Sequence, residues 1–268
     1  HGMSIDRNGR HGVNLVDCLE DPRVCDSILT YNGQVGLRII GGHDIVVSAN
    51  HFEENLDAVH CLDSYNLCMS GNNLDDHLRD GVVIENTYGS IVSGNMIEEC
   101  QATAVRLDRD CYGITVSANV IAHNAGGGVD LADATGCAVS ANTFVLCAKR
   151  GLTISPKSSR ITVTGNSFSN SSVGQSMRRT DPVQDDSGGV FLQSTSDIVL
   201  TGNGFSGLSG AAVQTDGKCS KIVIVGNNCV DLFRGSERSD LPSFQLGEVD
   251  ELVLENNHGA AVNSEAVD

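Results

Sequence analysis

The stretch Ile114-Thr-Val-Ser-Ala-Asn119 decides the fold, because the chain carries nine copies of its pattern. In each copy apolar residues alternate with small or polar ones before a terminal Asn, and this period of two is typical of a strand. Successive copies are 22 to 24 residues apart, except for two intervals of 37 and 29 residues that fit a repeat plus an insertion. The copies end at Asn50, Asn72, Asn95, Asn119, Asn142, Asn166, Asn203, Asn227 and Asn256.

Two further strands follow each Asn. An apolar residue lies two positions later, as at Ile121, and a third strand begins at a small residue, as in Gly128-Val-Asp-Leu131. Three strands in about 23 residues leave no room for a βαβ crossover. The sequence therefore predicts an all-β, right-handed, single-stranded parallel β-helix, a three-sheet solenoid of about eleven coils. It would span 1–258, with loop insertions near 169–188 and 230–242 and a C-terminal tail at 259–268.

The turn asparagines predict a structural ladder. Asn tolerates the left-handed backbone region, and we expect the bend to place it there, with its amide bonded to the Asn above and below. The ten cysteines fall mostly at inward positions and include no CxxC pair, so we expect free, buried thiols.

The ladder and its stacked apolar columns resemble the pectate-lyase-like superfamily of right-handed β-helices over residues 2 to about 258. The stretch Asn8-Gly-Arg-His-Gly-Val-Asn-Leu-Val-Asp17 is also similar to coils of mannuronan epimerases. The resemblance implies a carbohydrate substrate and a groove on the outer face of the strand that begins at Gly or Ala. Polygalacturonase signatures are absent, since the sequence has no Asn-Thr-Asp, Gly-His-Gly or Arg-Ile-Lys.

The outward positions of that strand concentrate charge in the middle coils. Stacking places equivalent residues about 4.8 Å apart, so the outward side chains form columns. Glu85 and Asp108 would approach to about 5 Å, like a retaining glycosidase pair, Arg106 would bind a substrate carboxylate, and His60 would act as a base. The alternative is a cross-strand ion-pair ladder on a solvated sheet. The catalytic candidates are His60, Glu85, Arg106, Asp108 and Asp130.

Neighbouring positions supply candidates for binding. The cations expected to contact substrate are Arg38, His77, Arg79, His123 and Lys149. The expected chemistry requires no cofactor, although four carboxylates are candidates for Ca²⁺, which takes several oxygen ligands. These four are Asp108, Asp110, Asp130 and Asp133.

Charge and hydropathy restrict the partners. The net charge of −17 disfavours a nucleic acid partner. The sequence contains no run of 18 apolar residues, so it predicts no membrane-spanning helix. We therefore expect a polysaccharide or oligosaccharide partner, and the oligomeric state stays open. No secretory signal pattern is present at His1-Gly2-Met3, and we expect a secreted or periplasmic product of a longer precursor.

Two functions fit these features. One is a polysaccharide lyase, hydrolase or epimerase that acts on an acidic polysaccharide at the groove. The other is a non-catalytic β-helix that binds glycans or spaces other domains.

Overall fold

A computed structural model describes residues 1–170, 187–234 and 241–263. Within these ranges the chain forms three parallel sheets and no helix, so it contains no helix able to cross a membrane. Sheet A contains Ser4–Asp6, Ile28–Thr30, His51–Glu53, Asn73–Asp75, Met96–Glu98, Val120–Ala122, Thr143–Val145, Ser167–Ser169, Gly204–Ser206 and Asn228–Val230. Sheet B contains Val13–Val16, Val35–Ile40, Asp57–Leu62, Val82–Glu85, Thr103–Asp108, Gly127–Leu131, Leu152–Ile154, Val190–Gln193, Val213–Asp216 and Phe244–Gln245.

Sheet C completes each coil. It contains Arg23–Cys25, Val46–Ser48, Cys68–Ser70, Ile91–Ser93, Thr115–Ser117, Ala138–Ser140, Ser159–Thr164, Ser196–Thr201, Cys219–Val225 and Val249–Glu255, with the short strands Cys111–Tyr112 and Ala134–Thr135 beside them. The chain passes through A, B and C in turn and each strand pairs with the equivalent strand one coil later. The predicted three-sheet parallel β-helix is confirmed.

The number of coils differs slightly from the expected eleven. Each sheet has ten strands along its main path in the described ranges, which makes ten rungs and nine full turns between them. Single bridges from His258 to Asn228 and from Val262 to Phe244 begin one more rung. Residues 259–263, expected as part of a tail, therefore stack on the solenoid. Of the two predicted insertions, 169–188 and 230–242, residues 171–186 of the first and 235–240 of the second lie outside the described residues.

The core consists of inward side chains stacked in columns along the axis. Phe144, Phe168 and Phe205 stack with ring centroids 4.5 and 5.0 Å apart. A Cβ added at Gly151 would lie 2.5 Å from the Phe168 ring, and one at Gly189 would lie 2.6 Å from the Phe205 ring. A glycine directly precedes the sheet B strands Leu152–Ile154 and Val190–Gln193, because the aromatic column leaves no space for a side chain at that position.

The asparagine ladder lies between sheets C and A. Asn119 Oδ1 accepts hydrogen bonds from the backbone N–H and from Nδ2 of Asn95, both at 3.0 Å, and its own Nδ2 donates to the Val92 carbonyl at 3.0 Å. The left-handed backbone falls one residue earlier than expected, at Ala118 with φ 54°. Asn is therefore selected by the hydrogen bonds of its amide.

The last ladder residue is Asn257, not Asn256. Asn257 Oδ1 accepts from the N–H and Nδ2 of Asn227, whereas Asn256 has φ 54° and occupies the bend. Counting six residues from Leu252, as in the other copies, gives the correct position.

A second polar ladder, which the sequence analysis missed, lies between sheets A and B. Asn55 Oδ1 accepts from the N–H and Nδ2 of Asn32, and Asn124 Oδ1 accepts from the N–H of Cys100. His77 occupies this column between Asn55 and Cys100, and its Nδ1 accepts the N–H of Asn55 at 3.3 Å.

All ten cysteines are free, as expected, and seven are buried. Burial raises the pKa of the Cys61 thiol to about 11 and that of Cys147 to about 12. These thiols are packing residues, because a thiol that rarely ionises is a poor nucleophile and a poor metal ligand.

Candidate active site on the outer face of sheet B

The register of sheet B places the predicted catalytic residues on one outward face. His60, Val83, Arg106 and Asp130 occupy successive rungs of one column. Glu85 and Asp108 are register partners in the neighbouring column. Strand alternation causes this arrangement, since the residues between them, such as Val105 and Leu107, have no exposed surface.

His60 and Glu85 form a pair across the two columns. His60 Nε2 lies 2.9 Å from Glu85 Oε2, and Arg109 Nε lies 3.2 Å from the other oxygen, Oε1. Both members are mostly covered, with side-chain exposures of 21% and 14%. The carboxylate thus fixes the orientation of the imidazole, which is the arrangement that a histidine base requires.

Arg106 and Asp108 form a second pair on the next rung. Arg106 donates from Nη2 to Asp108 Oδ2 at 2.8 Å. Burial opposes the charge of Arg106, but the bond to Asp108 and the charges of Asp130 and Asp80 outweigh it and raise the pKa of the guanidinium. Asp108 is therefore held in an ion pair, and Glu85 in another, so each member of the expected glycosidase pair already has a cationic partner.

Asp130 differs from the other carboxylates of the face. Its Oδ1 is buried and has no hydrogen-bond partner among the residues that the structure describes. Burial raises the pKa of Asp130, with Arg106 opposing the shift and Asp108 and Asp80 adding to it. A carboxyl in this environment keeps a proton to higher pH than usual, beside a guanidinium that attracts anions.

Asp80 is a site residue that the sequence analysis did not single out. Its Oδ1 accepts the N–H of Thr103 at 3.0 Å, and burial raises its pKa despite that bond. It lies in the turn that precedes the sheet B strand, close enough to influence the pKa of both Arg106 and Asp130. The sequence gives one signal for Asp80, its place in the charged stretch Asp75-Asp-His-Leu-Arg-Asp80 before that strand.

The predicted substrate-binding residues fall into different environments. Arg38 is next to His60 in the same column and lies 3.5 Å from Asn14 Oδ1. Lys149 is exposed in the turn before sheet B, and His123 Nδ1 lies 3.9 Å from Glu99 Oε1. Arg79 binds the buried carboxylate of Asp57.

His77 does not reach the outer face, contrary to expectation. It has no exposed surface, because it fills an asparagine position of the second ladder. Burial lowers its pKa to about 4, so it is neutral at physiological pH. A substrate on the surface of sheet B does not touch it.

The four carboxylates considered for calcium do not converge. Asp108 bonds to Arg106, Asp133 lies 3.6 Å from Lys157 Nζ, and Asp110 lies beside Tyr88. Within the described ranges a different group, Asp75, Asp76 and Glu99, brings its ligand atoms within 4.8 Å of one another. The sequence did not indicate this group, because it spans two rungs.

Two family models match the chain. A model described as "Periplasmic copper-binding protein (NosD)" matches residues 23–182, and one described as "Right handed beta helix region" matches residues 104–264. No curated protein matches the sequence significantly.

Several solved structures are similar in fold. The periplasmic alginate epimerase AlgG aligns at 18% identity and a TM-score of 0.58, over 78% of this chain and 50% of its own. The DFA-IIIase of Arthrobacter chlorophenolicus A6 without its lid aligns at 17% identity and 0.62, over 90% and 58%. PfbA, a surface adhesin of Streptococcus pneumoniae, aligns at 11% identity and 0.67, over 92% and 75%. The chain thus spans about half the length of the epimerase that it matches.

Among the His, Cys, Asp and Glu side chains of the described ranges, no cluster of three or more fits the copper that the first model names. Copper favours thiolate, thioether and imidazole donors, whereas the cluster that these ranges provide consists of three carboxylates. Each family model nevertheless covers more than half of the 268 residues. The chain belongs to the right-handed β-helix proteins and, among them, to the family of the NosD model.

Proposed function

We propose that the chain is an enzyme that moves protons on an acidic polysaccharide at the outer face of sheet B. The observation that carries this proposal is the buried, unbonded Oδ1 of Asp130 beside Arg106. A carboxyl whose pKa is raised by burial can hold a proton and then release it, and perturbed carboxyls of this kind concentrate at catalytic sites.

Three residues of this face have separate roles in the proposed reaction. Arg106 attracts the carboxylate of a uronate sugar and stabilises the charge that develops when the neighbouring C–H bond breaks. Asp130, one rung from Arg106, accepts that proton in its ionised form and passes it to the departing glycosidic oxygen, which is a lyase step; when a proton from water instead reaches the opposite face of the carbon, the step is an epimerisation. His60, oriented by Glu85, lies three rungs from Asp130, roughly 14 Å away, and binds a neighbouring residue of the polysaccharide. All of these groups belong to the chain, so we expect turnover to survive dialysis against a chelator.

Two relatives support a carbohydrate substrate and a location outside the cytoplasm. The epimerase of known structure is described as acting on alginate in the periplasm, and the NosD family is described as periplasmic. We propose a secreted or periplasmic location on this basis.

A second candidate is a non-catalytic glycan-binding protein. His60, Glu85, Arg106 and Asp108 are all engaged in ion pairs, which a solvated sheet also displays. The similarity to a surface adhesin over 92% of the chain fits this alternative.

Incubation with polyuronates in deuterium oxide separates these possibilities. We expect deuterium at the carbon next to the carboxylate, or an unsaturated sugar end that absorbs ultraviolet light. New reducing ends without either signal would indicate a hydrolase. Binding without any chemical change across polyuronates and fructans would reject the enzyme and favour the adhesin-like role.

A further inference from the structure

A column of aromatic side chains runs along the outside of the solenoid at the turn between sheets B and C. Single parallel bridges pair His43 with Tyr65, Tyr65 with Tyr88, and Tyr88 with Tyr112, so these four residues occupy successive rungs. The chain has four tyrosines and no tryptophan, and three of the four tyrosines stand in this column. None of the catalytic candidates belongs to it.

The rings of this column are open to solvent. Tyr65 is 48% exposed and Tyr112 is 54% exposed. The planes of the Tyr65 and Tyr88 rings are inclined at 30° with centroids 5.5 Å apart, and the His43 ring lies 5.7 Å from that of Tyr65. Single exposed apolar residues are common on protein surfaces, whereas a contiguous exposed row marks a binding surface.

Hydroxyl residues continue the same column toward the C-terminal end. Register pairs extend it from Tyr112 through four further rungs, at Thr135, Ser159, Ser196 and Ser220. Each of these four residues is partly exposed. The column therefore holds four aromatic and four hydroxyl residues in a straight row of roughly 34 Å, at about 4.8 Å per rung.

Amides and carboxylates flank the aromatic half of the column. Asn66 donates from Nδ2 to Asp44 Oδ1 at 2.9 Å, and the Tyr88 hydroxyl donates to Asn86 Oδ1 at 3.1 Å. Burial and the charge of Asp110 raise the pKa of Tyr88, so its hydroxyl stays neutral. In a chain whose net charge is −17, these carboxylates repel an anionic ligand.

This arrangement selects an uncharged glycan with a straight backbone. The C–H face of a pyranose ring packs on an aromatic ring, and amide, carboxylate and hydroxyl groups bond to sugar hydroxyls. A chain joined through equatorial bonds, such as β-1,4-linked glucose, extends as a flat ribbon whose residues are about as long as one rung. An α-1,4-linked chain coils and leaves a straight row after a few residues.

We propose that the column from His43 to Ser220 binds an uncharged, β-1,4-linked glycan along the axis of the solenoid, with the tyrosine rings against the faces of its sugars. The inference goes beyond the proposed function, because it concerns a different face and a ligand without carboxylates. It gives the protein a second carbohydrate surface, which attaches it to a neutral polysaccharide while sheet B faces an acidic one.

Calorimetric binding of a β-1,4-linked glucose hexamer tests the proposal. The double variant Tyr65→Ala, Tyr112→Ala should weaken binding at least about tenfold, because two stacking contacts are lost. The double variant Tyr65→Phe, Tyr112→Phe keeps both rings and should bind like the parent. The matched control is Tyr31→Ala, which removes the fourth tyrosine, 41% exposed in the turn after a sheet A strand. Melting curves identify any variant that fails to fold.

Tyrosine emission gives a second readout that needs no alanine variant. Because the chain has no tryptophan, Tyr31→Phe leaves the three tyrosines of the column as its only tyrosine emitters. The hexamer should change their emission over the same concentration range as it gives binding heat.

Four outcomes would overturn the proposal. The first is the absence of both binding heat and any change in emission, and the second is equal affinity of the parent and the double alanine variant. The third is an α-1,4-linked glucose hexamer or a uronate hexamer that loses affinity in the alanine variant by the same factor. The fourth is self-association of the parent, measured by sedimentation, that the alanine variant loses while neither binds the hexamer, because a second copy would then cover the column. Each result is independent of turnover at sheet B.

Discussion

Arg79 donates to both carboxylate oxygens of Asp57, from Nε to Oδ1 at 2.7 Å and from Nη2 to Oδ2. Asp57 has no exposed surface, and its Oδ1 also accepts the N–H of Asp80. Arg79, expected to bind substrate, therefore neutralises a buried charge and holds the turn that contains Asp80. The relationship links the stability of the solenoid to the geometry of the candidate site.

Breaking this ion pair should destabilise the fold. Arg79→Gln leaves the buried carboxylate of Asp57 without its cation, and we expect a loss of about 3 kcal/mol in the free energy of unfolding, measured with denaturant. The double variant with Asp57→Asn should recover part of it. Arg38→Gln, on the exposed face, is the control and should change stability by less than about 0.5 kcal/mol. Equal effects of the two single Arg variants would contradict the structural role of Arg79.

The asparagine ladder should be equally sensitive. Asn119→Leu removes the acceptor of two Asn95 donors and the donor to Val92, all buried, and each unsatisfied group costs about 1–3 kcal/mol. We expect a clear fall in melting temperature, whereas Asn14→Ala on the exposed face should have little effect. An unchanged melting temperature for Asn119→Leu would show that the ladder contributes nothing.

His77 should make the fold sensitive to acid. Burial lowers its pKa to about 4, while the unfolded chain titrates near 6.5, so the unfolded state binds the extra proton between these values. The free energy of unfolding is therefore at its full value above about pH 6.5. It falls as the pH drops toward 4, and the titration of His77 removes roughly 2 kcal/mol of it at pH 5.

His77→Asn isolates this effect, because Asn occupies the same column at Asn55 and Asn124. The variant should lose less stability than the parent between pH 7 and pH 5 in denaturant titrations. His258→Asn, at an exposed position, is the control. Parallel pH profiles of parent and His77→Asn would refute the buried histidine.

The thiols provide a test of the coil register. All ten cysteines should react with a thiol reagent in denaturant without reductant. In the native protein the exposed Cys68 should react quickly, and the seven buried thiols should react only as fast as the fold opens. Fewer than ten reactive thiols in denaturant would reveal a disulfide that the register excludes.

The repeat made the fold predictable, because the period of two and the spacing of the asparagines leave a single way to stack the coils. It also gave the outward columns of sheet B, since alternation fixes which side of a strand each residue occupies. Turns were harder to interpret. In the turn that contains His77 and Arg79, a shift of one residue changes an inward position into an outward one. Only an alignment of His77 with Asn55 and Asn124 of other coils shows that His77 belongs to the inward column.

The properties of Asp80 and Asp130 depend on burial, which a single sequence does not give. Both stand among other charged residues, and nothing in their residue type distinguishes them from the paired Asp108. In the structure Asp130 Oδ1 is buried and has no hydrogen-bond partner among the described residues, and the burial raises the pKa of Asp130.

Turnover and melting temperature of Asp130→Asn, measured together on a polyuronate, test the central claim most directly. Asn is nearly isosteric and removes a carboxyl that burial destabilises, so we expect the melting temperature to equal or exceed that of the parent. Turnover should fall by about 10²- to 10⁴-fold, the usual contribution of a general acid or base. Turnover that stays at the parental level, or that falls only in step with a lower melting temperature, would contradict a catalytic Asp130.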